Sequence, residues 1–176
     1  MVNEDYSWQK VGAILMRPGI DSFNRMDEFL SIQNTLTHQE YWYGLQFAYT
    51  CSDNLFHLRR KVKKAFYSTR PLREYMMDTE ELELFKSLPK QVKIYRGMTE
   101  AEYESGNFGI GWSLRQDVAE FFAYKYIRNF STSQLPKVVL SASISSEYVI
   151  GYLNGRKEDE LIIKSEMIDS FELVDI

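Results

Sequence analysis

The chain has 176 residues, 44% of them hydrophobic and 15% aromatic, and a formal charge of −4. That supplies one packed core, excludes a disordered chain, and gives no overall basic character for gripping nucleic acid. Cys51 is the only cysteine, which excludes an intrachain disulfide, and His38 and His57 stand in no metal-ligand spacing.

A lone cysteine fits a reducing compartment. The first residues, Met-Val-Asn-Glu-Asp-Tyr, lack the basic and apolar regions of a secretion signal, and no apolar run is long enough to cross a bilayer. The expectation is a cytoplasmic protein, of the producing or of a target cell, without membrane association.

Residues 1–90 read as mainly helical. Asp21 or Ser22 is placed to cap a helix carrying Phe23, Met26, Phe29, Leu30 and Ile32. Thr37 opens a second through Tyr41, Trp42, Leu45, Phe47 and Ala48, dense enough in aromatics to form a wall of the core. After a break at Cys51–Asn54, Leu55, Leu58, Val62 and Phe66 fall on one helical stripe. The same helix carries Arg59, Arg60, Lys61, Lys63 and Lys64. This is either a solvated face or a patch for an anionic partner. Pro71 interrupts the pattern, and Thr79-Glu80-Glu81 starts a short acidic helix through Leu88.

After Pro89 the period changes to two. Val92 to Met98 alternates as a strand, with Arg96 facing opposite to Tyr95 and Gly97 following it. Thr99 to Asn107 reads as an acidic connection. Gly109 and Gly111, close before Ser113, indicate tight backbone or room for a ligand. Asp117 reads as an N-cap, with Glu120 completing a capping box, for a helix through Val118, Phe121, Phe122 and Tyr126. Ser131–Gln134 is a polar loop, and Val138–Ile144, Leu161–Ile163 and Phe171–Val174 are strands. The organisation is a single domain over 1–176, helical over 1–90 and β-rich over 91–176.

The most informative stretch is Tyr152-Leu-Asn-Gly-Arg-Lys-Glu-Asp-Glu-Leu-Ile-Ile163. Asn154-Gly155 is a turn signal favouring positive φ, and the apolar end is a buried strand. If the strand already runs at the acids, Glu158 and Glu160 share one face and Asp159 takes the other. Adjacent like charges repel, so stability alone does not select this pattern. A charged strand entry is the plain alternative.

Tyr95-Arg96-Gly97 on a strand, Gly111-Trp112-Ser113-Leu114 before a helix, and Glu158-Asp159-Glu160 before an apolar strand occur in that order. In this the chain resembles the arginine–serine–glutamate class of mono-ADP-ribosyltransferases, the cholera-toxin-like branch, including bacterial and phage members. The resemblance covers residues 90–176 in motif terms. It implies an α+β fold, with a helical N-terminal part packed on a split, mainly antiparallel β-sheet that forms a NAD cleft. It also implies transfer of ADP-ribose from NAD, as co-substrate and without a metal, to an acceptor, with protein arginine favoured.

Carried over residue by residue, Glu160 stabilises the ribosyl cation and Glu158 orients and helps deprotonate an incoming guanidinium. Arg96 contacts phosphate or ribose with its fork of donors, and Ser113 holds the glutamate and the nicotinamide ribose in register. Gly97 and Trp112 complete the cofactor contacts, and Tyr152 is the aromatic of the substrate-recognition loop. Plain alternatives stand beside these: Arg96 as a structural ion-pair partner, Tyr152 as strand-end packing, and Phe121 and Phe122 as core rather than nicotinamide-stacking residues. The family's middle motif is usually Ser-Thr-Ser, and Trp112-Ser113-Leu114 keeps one hydroxyl. Three rivals stay open: NAD hydrolysis, modification of a nucleic-acid base, and a degenerate family member that binds a partner without catalysis. The sequence leaves the oligomeric state unknown.

Overall fold

In the computed structural model, which describes residues 5–53, 55–126 and 135–175, helices occupy the chain up to Ser87 and strands begin at Gln91. The chain forms two compact units, Met1–Leu82 and Glu83–Ile176. Among the described residues no helix is long and apolar enough to cross a membrane. The expected polar loop at Ser131–Gln134 lies outside the described residues.

The first unit contains α1 (Asp5–Leu15), α2 (Arg25–Ile32), α3 (His38–Thr50), α4 (Arg59–Phe66) and the start of α5 (Thr79–Ser87). Thr37 caps α3 as expected: the Glu40 N–H donates to its hydroxyl, and the Thr37 N–H donates to the Glu40 carboxylate at 2.8 Å. Tyr41, Trp42, Leu45 and Ala48 are then buried along one side. Burying a side chain the size of Leu45 contributes roughly 1.5–3 kcal/mol.

The expected cap of α2 is corrected. Asp21 accepts from the Phe23 N–H at 2.8 Å and closes a turn, so α2 begins only at Arg25 and Phe23 is left 70% exposed. The local side-chain bond outcompetes the helix there. Leu58, which precedes α4, and Val62 and Phe66 on it turn inward, while Arg59, Arg60, Lys61 and Lys64 are exposed.

The second unit is built on β1 (Gln91–Thr99), β2 (Gly111–Ser113), β3 (Lys137–Ser145), β4 (Val149–Leu153), β5 (Glu160–Ile163) and β6 (Ser170–Leu173). Among the described residues these form one sheet, ordered β4-β5-β2-β1-β3-β6, with every pairing antiparallel. The fold class is therefore α+β. β1 and β3 pair over nine positions, whereas β1 and β2 share the single pair Tyr95–Ser113. The β4-β5-β2 and β1-β3-β6 halves thus form one ladder that narrows to one rung.

Two short elements escape the sequence pattern. The acidic connection contains α6 (Glu100–Ser105), capped by Thr99 and ended by Gly106 in the left-handed region. β4 lies just before the Asn154 turn, every residue of it buried. The helix after Ser113 is α7 (Gln116–Glu120), which widens into one π-helical turn over Phe121–Lys125. Asp117 does not cap it: the cap is Arg115, and Asp117 sits in the first turn paired with that arginine.

Candidate active site

Strand register organises the site. Leu153 pairs with Glu160, Glu160 with Ser113, Ser113 with Tyr95, Tyr95 with Ser141, and Ser141 with Glu172. One row therefore crosses all six strands, and directly paired residues share a face. Gly97, two residues after Tyr95, lies on that face as well. It is covered by α7 and the π turn, because a Cβ at Gly97 would come within 2.2 Å of the Ala119 carbonyl. This close helix–strand approach accounts for a glycine at the position.

The acids are held by the loop that follows β4. The Lys157 N–H closes a turn on the Asn154 carbonyl at 2.8 Å, and the Asn154 side chain accepts from the Asp159 N–H at 3.0 Å. Left-handed backbone falls at Lys157 (φ 59°) and Asp159 (φ 46°), not at the Asn154-Gly155 pair that the sequence singled out. These two flank Glu158 and turn it out of the strand path. β5 starts at Glu160, so strand alternation does not operate between Glu158 and Glu160.

One guanidinium nevertheless joins them. Arg156 Nη2 lies 2.8 Å from Glu158 Oε2 and 3.4 Å from Glu160 Oε2. Glu160 is the more enclosed of the two carboxylates, 13% exposed against 20%. Burial pushes the Glu158 carboxyl above the ordinary glutamate range, against the opposing pull of Arg156.

The Ser113 hydroxyl is committed to the same loop. It donates to the Glu158 carbonyl at 2.7 Å and accepts from the Arg115 N–H at 2.9 Å. Arg115 pairs with Asp117 at 2.5 Å and lies 3.7 Å from Asp159. The serine thus holds the backbone that carries Glu158, while its cross-strand neighbour is Glu160.

Arg96 is on the other face. β1 runs without a bulge along β3, so Arg96 points away from Tyr95 and from the Ser113–Glu160 row. Its Nε and Nη2 donate to the Glu102 carboxylate at 3.0 and 3.4 Å, and its Nη1 donates to the Gly111 carbonyl at 2.7 Å. Gly109 passes directly beneath, and a Cβ there would lie 2.4 Å from Nη2. The structural ion-pair reading describes this arginine, and Glu102 is its acid.

Trp112 and Tyr152 are likewise withdrawn from any ligand, at 1% and 2% exposure. The Trp112 indole donates to the Gly109 carbonyl at 3.0 Å and meets the Phe108 ring edge-on. The Tyr152 hydroxyl donates to Asp159 and so braces the acid loop from within instead of meeting an acceptor.

Phe121 departs from the core expectation in the opposite direction. It is 45% exposed and packs edge-on against Phe122, with Tyr126 in contact with both. The register places this aromatic turn on the Glu160 face. π-helical turns of this kind occur often at functional sites.

No family model, curated protein or solved structure matches the chain. Its chemistry rests on this geometry. Among the described residues, no group of three or more His, Cys, Asp or Glu is arranged to hold a metal ion.

Sequence reasoning brought together Ser113, Glu158 and Glu160, and missed Arg156, Arg115 and Glu102. Arg156 stands two residues before Glu158 and Arg115 two after Ser113, so proximity to the motifs was the available signal. Glu102 had none, because α6 was read as a connection.

Proposed function

We propose that the chain is a mono-ADP-ribosyltransferase that uses NAD and prefers a guanidinium acceptor. The observation that carries this is the seat of Arg156 between Glu158 and Glu160, a contact of the kind a guanidinium acceptor would make with this carboxylate pair. When bound, NAD supplies ADP-ribose attached to nicotinamide, a leaving group that is already cationic. Glu160 is the residue suited to the ribose, because an enclosed carboxylate stabilises positive charge as it develops at the ribose carbon. Glu158 receives the acceptor proton, and its raised basicity suits it to that task. Ser113 fixes the backbone of Glu158, and the aromatic turn offers a ring surface for nicotinamide on the same face.

Arg96 fits a phosphate-binding role poorly where it stands, since each of its three guanidinium nitrogens already donates to Glu102 or Gly111. In this reading it supports the glycine segment leading to β2.

Incubation with labelled NAD and a cell lysate tests the proposal. Nicotinamide release with label retained on protein arginines is the expected result, and absence of nicotinamide release sinks the reading. Label recovered only as free ADP-ribose favours hydrolysis instead. A nucleic-acid acceptor has one specific observation in its favour: Arg59 stacks 4.3 Å above the ring of Phe56, which is 70% exposed, beside the basic face of α4. Label recovered in DNA or RNA would select it.

A further inference from the structure

We infer that Arg156 is itself an acceptor, modified in cis at its own guanidinium by the carboxylate pair it bridges. This rests on the transferase reading above and deepens it by naming the first substrate of the site. Arg156 Nη2 already occupies the place an incoming arginine must take, 2.8 Å from the proton acceptor Glu158 and 3.4 Å from Glu160. Reaching that place costs a free acceptor translational and rotational freedom, whereas Arg156 is delivered by its own loop. The loop is braced in that form by the Asn154 side chain, the Tyr152–Asp159 bond and the hold of Ser113 on the Glu158 carbonyl.

The reaction balances without a further reagent. The bond between the ribose C1′ and the nicotinamide nitrogen breaks, and its electron pair leaves on neutral nicotinamide. An Nη of Arg156 forms the new bond to C1′. One guanidinium proton passes to Glu158 and on to solvent, so the modified arginine keeps a single positive charge. The product leaves an anionic diphosphate beside two carboxylates, which disfavours a second NAD at the same place. Self-modification therefore limits itself.

The test uses the intact chain and labelled NAD, with no other protein present. The expected result is an initial burst of nicotinamide that then declines, with label mapped by fragmentation mass spectrometry to Arg156. Because the step is intramolecular, its rate per molecule should be unchanged on serial dilution of the protein, whereas transfer between molecules slows in proportion. Added agmatine, a small guanidine, should take a share of the label by competing for new transfer, with Arg156 still labelled. Arg156→Lys, with folding checked by thermal melting, should carry no label at residue 156.

Label on another residue, or a rate that falls with dilution, overturns the inference. Nicotinamide release with label on added agmatine but none on the chain also overturns it, and leaves the transferase reading standing. No nicotinamide release overturns both.

Discussion

Two arginine–glutamate clusters lie on opposite faces of one sheet, and they differ in exposure, 25% for the Arg96 side chain against 43% for that of Arg156. Around Arg96, three guanidinium nitrogens are satisfied by Glu102 and Gly111, and the Gly109 N–H adds to the same carboxylate at 2.9 Å. Around Arg156, Nη2 lies 2.8 Å from one acid and 3.4 Å from another, and the side chain is 43% exposed. A bidentate pair with a carbonyl is a closed arrangement that holds structure together. Two carboxylates around a more exposed cation form an arrangement that solvent reaches and screens. The arginine that stands in a recognisable motif is thus the more enclosed of the two, and the arginine in the turn is the more accessible.

The largest effect that sharpens this contrast comes from Glu160. Glu160→Gln keeps the size of the side chain and removes its charge, so nicotinamide release should fall on the order of a hundredfold or more. NAD affinity should change little, since the interaction strengthens as charge develops. Near wild-type turnover would take Glu160 out of the chemistry.

Next in size is the opposite face. Arg96→Lys keeps the charge and loses the fork, and should cost about 2 kcal/mol of unfolding free energy in a urea titration. If calorimetry instead shows weaker NAD binding with stability intact, the contrast between the clusters is broken and Arg96 belongs to the cofactor.

A subtler effect lies in the pH profile. On the proposed reading transfer needs ionised Glu158, whose carboxyl burial raises and Arg156 lowers. The acid limb for transfer to agmatine should therefore stand above the ordinary glutamate range. In Arg156→Ala the lowering influence is gone, so the limb should move to still higher pH. A limb that moves down would mean that Glu158 is not the titrating group. The same raised basicity favours the folded state when Glu158 is protonated, and that contribution is lost as pH rises through the folded pKa.

The smallest effect concerns the loop. Lys157→Gly relieves a non-glycine residue at φ 59° and should stabilise the chain by about 0.5–1 kcal/mol. A loss of stability on melting would show that the Lys157 side chain holds the loop in some other way.

What was legible in the sequence followed from period and composition. The strand of Val92–Met98, the buried run Leu161–Ile163 and the Thr37 cap are local signals that the fold keeps. Ser113 and Glu160 could be suspected of meeting, but the register that places them side by side is a long-range property. Asn154-Gly155 misled because the left-handed residues it advertised came later, at Lys157 and Asp159, where hydrogen bonds to Asn154 and Ser113 override residue preference. Phe121 misled because a helical stripe was assumed to continue where the helix widens into a π turn and rotates its rings outward. Arg96 and Glu102 are six positions apart, a separation that no helix or strand period makes adjacent.

The single rung between β1 and β2 gives the sheet a seam, and the Arg96 bond to the Gly111 carbonyl crosses that seam where no backbone pair does. Sheets open in cooperative blocks set by how densely neighbouring strands are bonded. The amides of β2, β4 and β5 should therefore exchange with deuterium as one block and those of β1 and β3 as another, the second being the slower. Loosening Arg96 would speed the first block and leave the second as it was. An arginine on the opposite face of the sheet would in this way set how long Ser113 and Glu160 stay aligned with Tyr95.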